Sequence, residues 1–349
     1  MSMVQCLQMC TLSDIARAAD VSVTTVSLVL SNTGRISSEV RNRVLSVAAD
    51  LGYFHEKEKL NQTRSDRTVG LLYSFDTNWS DSHRLLSPLV VAIEETLSEQ
   101  GIYMTVITFA RTMETEAILK RITHARPTGV ISVNFADEDI FTHLENTAVP
   151  VVLANNLEFQ DLFYTAGVDD FQGTYDATRH LLNLGHRNIA YFDYPDGTFH
   201  PMANRRYYGY WAALEESGVP VRDEFRIRVD VHDRASLECC VSALLGGPEK
   251  PTAFVSDDDN LMASVWHVAA DLGIRIPDDV SVIANGDTQD YDRADTPPMT
   301  TMRINTGQLG KLAAEMMIKR LNNQLDEIQV VKLKEQLIDR GSCRAIEAK

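Results

Sequence analysis

Two sets of residues carry the chemistry this sequence could perform. The first is Ser22, Val23, Thr24, Thr25, Ser27 and Leu28, within "SVTTVSLVLSN" near the N-terminus. Small hydroxyl and aliphatic side chains on one short helix can lie flush against phosphates and base edges. A serine N-cap also leaves backbone N–H groups facing an anion. The second set stands directly after strand-like apolar runs: Asp76 and Trp79 after "VGLLYSF", Asn134 in "GVISVNF", Asp258 after "TAFVS" and Asp287 after "VSVIANG". Carboxylates and an amide offer directional partners to hydroxyls, and an indole face packs on the apolar face of a sugar ring. Both sets do recognition chemistry. No G-x-S-x-G elbow, P-loop, H-E-x-x-H pair or G-x-G-x-x-G after a strand supports catalysis. The acidic run "SDDDN" lacks the glycine and terminal glutamate of a calcium loop, so neither metal nor cofactor is expected.

The first set needs a scaffold of short helices. Thr11 and Asp14 form a capping-box pattern ahead of "LSDIARAA", whose Leu12, Ile15, Ala16 and Ala19 follow helical spacing. "ADV" makes a tight turn, and Ser22 caps a second helix with Val26, Val29 and Leu30 on its inner face. "SNTG" stops that helix, and Ser37 caps a third, "SEVRNRVLSVAADLG", ending at Gly52. Three short helices with a three-to-four-residue turn between the first two describe a helix-turn-helix. Periodicity alone fits any small three-helix bundle equally well.

The second set needs sheets. From Val69, apolar strands alternate with amphipathic helices: "VGLLYSF", "YMTVITF", "GVISVNF" and "PVVLANN", then "NIAYFDY", "FRIRVDV", "TAFVSDD" and "VSVIANGD". This alternation predicts parallel, doubly wound sheets, and two series of strands predict two similar lobes. Open α/β sheets bind ligands at the carboxyl ends of their strands, so two facing lobes would hold a ligand between those ends.

Bulk properties agree with a multi-domain globular chain. Its 349 residues exceed the roughly 100–200 of one domain, and 44% hydrophobic with 23% charged residues excludes general disorder. A net charge of −16 argues against wrapping nucleic acid with the whole surface. The charge is unevenly spread. Residues 11–54 balance Arg17, Arg35, Arg41 and Arg43 against Asp14, Asp20, Glu39 and Asp50. Residues 55–68 are net +1, so nearly all the acidity belongs to the body. A neutral first unit predicts modest non-specific affinity for DNA and a shallow salt dependence. No run of about 18 apolar residues predicts a membrane span, and "MSMVQCLQMC" does not read as a secretory signal. Five cysteines without metal-ligand spacing read as reduced thiols of a cytosolic protein, with Cys239 and Cys240 in or near a core.

The stretch "TLSDIARAADVSVTTVSLVLSNTGRISSEVRNRVLSVAADLGY" resembles the N-terminal headpiece of the LacI/GalR family of bacterial transcription regulators, close to its "D-V-A-x-x-A-G-V-S-x-x-T-V-S-x-V-L-N" pattern. "VDDFQGTYDATRHLLNLGHRNIAYF", "RRYYGYWAAL", "DLGIRIPDDVSVI" and "TPPMTTMRI" are similar to signatures of the family's periplasmic-binding-protein-like core, so the resemblance runs from about Thr11 to Gly341. It implies that Arg206 stands at the arginine that clamps the effector, and it adds Asp169 as a contact or turn residue. Toward DNA it implies a set of Thr11, Ser22, Val23, Thr24, Thr25, Ser27, Leu28 and Asn32, with Leu60 as the one candidate for a minor-groove wedge. Leu28 stands where many relatives have arginine, which changes the base contact available there. The linker "FHEKEKLNQTRSDRT" lacks the family's proline and Ala-Arg pair, and "ANGD" replaces "G-[FY]-D-D".

The expected fold is a small all-α helix-turn-helix domain followed by an α/β core of two doubly wound parallel-sheet lobes. Residues 1–10 are read as a tail or start-site overhang, with Met9 a candidate start; 11–54 as the headpiece; 55–68 as a hinge; and 69–349 as the effector-binding and dimerisation core. Lobe 1 is assigned about 69–166 and 299–325, lobe 2 about 167–298 and 326–345. The implied function is a cytoplasmic, nucleoid-associated repressor of carbohydrate-utilisation genes. It binds palindromic operator DNA as a homodimer, with no membrane partner, and is switched by a sugar or sugar phosphate. A cytosolic sugar-binding protein that does not read an operator is the alternative, and an α/β sugar-modifying enzyme would need a catalytic constellation the sequence lacks.

Overall fold

The computed structural model describes residues 12–30, 36–37, 40–41, 43–44, 47–48, 67–74, 83–110, 112–195, 203–325 and 327–346. The chain divides into two compact units, Met1–Arg67 and Thr68–Lys349.

In the first unit, helix α1 (Leu12–Ala19) and helix α2 (Val23–Leu30) are joined by a turn in which Asp20 adopts φ 52°. The Val21 N–H closes that turn on the Ala16 carbonyl at 3.0 Å. Ser22 then starts α2: its Oγ accepts the Thr25 N–H at 3.0 Å, and its carbonyl accepts the Val26 N–H at 3.1 Å. Ile15, Ala16 and Ala19 of α1 and Val26 and Val29 of α2 are buried together with Val44 and Ala48. Residues 40–41, 43–44 and 47–48 are helical, and the Val40 N–H reaches Ser37 Oγ at 3.4 Å. The side chains of Leu12 and Leu30, expected on the inner faces, lie outside the described set.

The second unit holds two six-stranded sheets. Lobe 1 is built from β1 (Thr68–Ser74), α3 (His83–Ser98), β2 (Tyr103–Phe109), α4 (Thr115–Ala125), β3 (Gly129–Val133), α5 (Glu138–Asn146), β4 (Val151–Ala154) and β5 (Tyr164–Val168). Lobe 2 follows with α6 (Asp170–Asn183), β6 (Ile189–Asp193), α7 (Ala203–Glu216), β7 (Arg226–Arg228), α8 (Arg234–Gly246), β8 (Ala253–Ser256), α9 (Asp259–Asp271) and β9 (Ser281–Asn285). The chain then alternates between lobes through β10 (Thr300–Arg303), α10 (Thr306–Leu321), β11 (Val330–Leu333) and β12 (Gln336–Ile338).

The sheet orders are β11-β5-β4-β3-β1-β2 and β12-β10-β9-β8-β6-β7. All pairings are parallel except β10 with β12. Strands β3, β4, β5, β6, β8 and β9 are buried along their whole length, as expected when helices cover both faces. In lobe 1, α3 and α10 cover one face, with Leu89, Ile93, Ala313 and Met317. Ile118 and Ile122 of α4 and Ile140 and Phe141 of α5 cover the other. Gly310 lets α10 meet α3 closely, since a Cβ there would stand 2.3 Å from the Leu89 carbonyl oxygen. Gly209 does the same for α7 on α6, where a Cβ would stand 2.2 Å from the Phe171 oxygen.

The sheets correct the lobe assignment at the C-terminal end. Thr300–Arg303, assigned to lobe 1 as part of 299–325, pairs with β9 in lobe 2; only the helix after it returns to lobe 1. Val330–Leu333, assigned to lobe 2 as part of 326–345, pairs with β5 in lobe 1. The crossing falls between a strand and its neighbour, where neither strand's own apolar pattern marks its partner. Three passages therefore connect the lobes, at 168–170, 303–306 and 333–336. A second correction concerns one thiol: on α8 Leu237 and Val241 face the core and half-buried Cys240 packs against it, as expected, while Cys239 is exposed.

Candidate functional sites

In the first unit, α2 carries no charged side chain, and Val23 is 44% exposed with Thr24 also exposed. Thr25 and Leu28 are half-buried. The Ser22 and Thr25 hydroxyls lie 2.8 Å apart, so the cap also fixes the Thr25 rotamer. A short helix seated on an apolar base and presenting small uncharged groups can enter a groove without desolvating a charge. Ser27 lies in α2, but its side chain is outside the described set, as are Thr11, Asn32 and Leu60 altogether.

In the second unit, Asn134 follows β3 and Asn155 follows β4. Both have positive φ, 54° and 57°, and the Asn155 Nδ2 donates to Asn134 Oδ1 at 2.8 Å. Left-handed backbone at two neighbouring strand ends turns both amides out of the strand direction together. Buried Asn156 accepts the Glu158 N–H at 2.8 Å, bending the loop that follows. Asn155 and Asn156 were not singled out from sequence, although they end "PVVLANN" as Asn134 ends "GVISVN". Asp76 and Trp79 lie outside the described residues.

In lobe 2, Arg206 of α7 is 5% exposed. Its Nε and Nη2 donate to Asp170 Oδ1 at 3.0 and 2.9 Å, and its Nη1 donates to the Asp257 carbonyl at 2.6 Å. Burial works against the guanidinium charge, but Asp170, Asp257 and Glu335 outweigh it and hold the group protonated well above its usual range. Tyr191 donates to Asp257 Oδ1 at 3.3 Å, and burial beside that carboxylate pushes the phenol far up. Neighbouring Arg205 crosses to lobe 1, its Nη2 reaching the Leu157 carbonyl at 3.3 Å.

The aspartates after strands take different duties. Asp169 caps α6, accepting the Gln172 N–H at 3.4 Å. Asp258 caps α9 through the Leu261 N–H at 2.8 Å, and its other oxygen accepts from Tyr194 at 2.8 Å. Asp287, at φ 137°, accepts from Thr301 at 2.7 Å and from Arg340 at 2.6 Å, and is paired with Arg303. The sequence offered no reason to choose Asp259, yet it binds the whole following loop. It accepts from the Thr288 N–H and hydroxyl, each at 2.6 Å, the Gln289 N–H at 3.0 Å and the Tyr291 hydroxyl at 3.1 Å. Burial outweighs these bonds and, with Asp258 beside it, pushes Asp259 up to about 6. Arg340 stacks 3.6 Å over the Tyr291 ring, joining this clasp to Asp287. Arg206, Asp170 and Asp257 thus form one cluster, and Asp259 and Asp287 a second, linked through Tyr291 and Arg340.

His186 is structural: it is buried between Thr252 Oγ1 at 2.8 Å and the Arg344 carbonyl at 3.1 Å. Among the described residues no group of three or more His, Cys, Asp or Glu side chains could hold a metal ion. No described helix is long and apolar enough to cross a membrane.

Comparison with known proteins joins the two units. Residues 11–55 match the family described as bacterial regulatory proteins, lacI family, and residues 178–343 match the periplasmic binding protein-like domain. The chain is 28% identical over 342 residues to the HTH-type transcriptional repressor PurR of Escherichia coli O139:H28, spanning 96% of this chain and 97% of that one. Among solved structures it is similar to a transcriptional regulator CelR–cellobiose complex, at 23% identity and TM-score 0.68 over 95% of this chain and 99% of that one. It is similar also to the lac repressor dimer bound to operator and the anti-inducer ONPF, at 22% identity and TM-score 0.68 over 97% and 100%.

Proposed function

Because the chain belongs to the lacI family of bacterial regulatory proteins, DNA-binding transcriptional regulators rather than enzymes, we propose that it is an operator-specific repressor whose DNA affinity is set by a sugar bound between its lobes. The operator is palindromic and read by a homodimer, acting at the nucleoid in the cytoplasm. The similar lac repressor structure is a dimer on operator DNA, which supports this reading. Bases and phosphates are contacted by Ser22, Val23, Thr24, Thr25, Ser27 and Leu28, with Thr11, Asn32 and Leu60 completing the surface from the flanking segments.

One observation carries the effector reading: an arginine, Arg206, fixed by two buried hydrogen-bonded contacts at the strand ends of lobe 2, where an open α/β sheet takes its ligand. Asn134, Asp169, Asp258 and Asp287, with Asp76 and Trp79 from the segment that follows β1 in sequence, complete this reading as acceptors and a stacking face suited to a polyol. A similar regulator holds cellobiose, which supports a saccharide. Within this reading 11–54 is the headpiece, 55–68 the linker and 69–349 the effector and dimerisation core; the unit boundary between Arg67 and Thr68 supports a division near the end of the linker. The deciding experiment is a gel shift of the full chain on the DNA upstream of its own gene, with a panel of mono- and disaccharides. A specific shift that a sugar modulates is expected. The absence of any specific shift, with or without sugars, would defeat the repressor and leave a sugar-binding protein.

A further inference from the structure

Glu335 lies on the third passage between the lobes, in the two-residue segment separating β11 of lobe 1 from β12 of lobe 2. Its side chain turns against the first turns of α6. A Cβ placed on Gly173 would stand 2.4 Å from Glu335 Oε1, 2.5 Å from Cδ and 2.9 Å from Oε2, so only glycine leaves this seat open. Although part of the residue reaches the surface, both carboxylate oxygens are shielded from solvent and neither has a hydrogen-bond partner.

The surroundings are mostly acidic. The charges of Asp169, Asp170 and Asp176, on α6 and its cap, and of Arg206 on α7 act on Glu335. Arg206 is engaged by Asp170 and by the Asp257 carbonyl. On Glu335's own segment Lys334 points to solvent. The Asp169 N–H donates to the Leu333 carbonyl at 2.9 Å, tying the first passage to the third just ahead of Glu335. A carboxylate removed from water and given no donor is strongly disfavoured, so the group takes up a proton instead. Burial is the largest influence raising its pKa; the neighbouring aspartates add to it and Arg206 opposes it.

We propose that Glu335 is a proton-linked positioning residue of the third passage between the lobes, un-ionised and seated on Gly173 in this lobe arrangement, and ionised, its proton released to water, when the lobes rotate and the passage lifts from α6. One proton is taken from solvent per chain when the seat is filled. Rising pH therefore favours the separated arrangement, by up to about tenfold in the equilibrium per pH unit while only one state holds the proton.

The test uses the full-length chain with no added ligand. At neutral pD the infrared spectrum is expected to carry an un-ionised carboxyl C=O band that Glu335→Gln lacks. Small-angle X-ray scattering between about pH 5.5 and about 8.5 should show the wild-type radius of gyration growing as pH rises. Glu335→Gln mimics the protonated group and should stay compact throughout. Gly173→Ala fills the seat and serves if the glutamine variant fails to fold: it should lose the band and the pH response while remaining expanded. No difference band, a wild-type radius flat in pH, or a variant keeping the wild-type profile would each overturn the proposal.

Discussion

The Nε and Nη2 atoms of Arg206 lie 3.0 and 2.9 Å from a single oxygen of Asp170, in a pair whose side chains are almost wholly buried. The arginine proposed to meet the effector is therefore also a structural element of lobe 2. Arg206→Ala should abolish the effector response and also destabilise the core by about 3–5 kcal/mol, because Asp170 is left buried and uncompensated. Replacing both partners with Arg206→Met and Asp170→Leu should recover most of that loss but not the response. Urea unfolding of the singles and the double decides it; an Arg206→Ala chain of wild-type stability would show that the pair contributes nothing. Operator binding should survive in these variants wherever the core remains folded.

Asp259 predicts a pH dependence. Its pKa in the fold is raised from 3.8 to about 6, so the folded chain holds this proton more tightly than the unfolded chain does. The stability this provides is complete below the unfolded value and is lost as pH rises through the folded one. Relative to Asp259→Asn, the wild type should lose roughly 3 kcal/mol between about pH 4 and about pH 6 and then level off. Urea midpoints of the two chains at matched pH would reveal this, and a difference constant across that range would remove Asp259 as the titrating group.

Leu28 is half-buried on the helix read here as the base reader. Leu28→Arg should move operator preference toward guanine at one position of each half-site, by about 1–3 kcal/mol in discrimination. Selection from randomised DNA with both chains measures it. Identical recovered sequences would take Leu28 out of the reading surface.

Arg205 joins lobe 2 to the Leu157 carbonyl of lobe 1. Arg205→Ala should cost about 0.5–1.5 kcal/mol of lobe-to-lobe interaction. Amide hydrogen exchange is expected to quicken by up to about tenfold in the segment after β4 while the sheet interiors keep their protection. Unchanged exchange there would mean the contact holds nothing in place.

Much of this architecture was legible because burial on both faces writes a parallel strand as an unbroken apolar run. "GVISV" and "IAYFD" could be placed from composition alone. The headpiece helices were legible from the Ser22 cap and the spacing of Ile15, Val26 and Val29. Sheet membership was not, because "TTMR" and "VVKL" choose their partners by the path of the chain and not by their own pattern. Nor could three consecutive aspartates be told apart. The register at which α9 begins makes Asp258 the cap and turns Asp259 back onto the loop. Glu335 gave no signal, since its seat exists only where Gly173, far away in sequence, comes to face it.

The three passages also govern how the protein comes into being. The sheet of lobe 1 lacks its last strand until Val330–Leu333 has been synthesised, and that of lobe 2 until Gln336–Ile338 follows. As the chain is synthesised, lobe 1 therefore gains its last strand only a few residues before lobe 2 gains its own. For the same reason no single cut releases a lobe, and a chimaera exchanging the half that holds Arg206 would need three junctions.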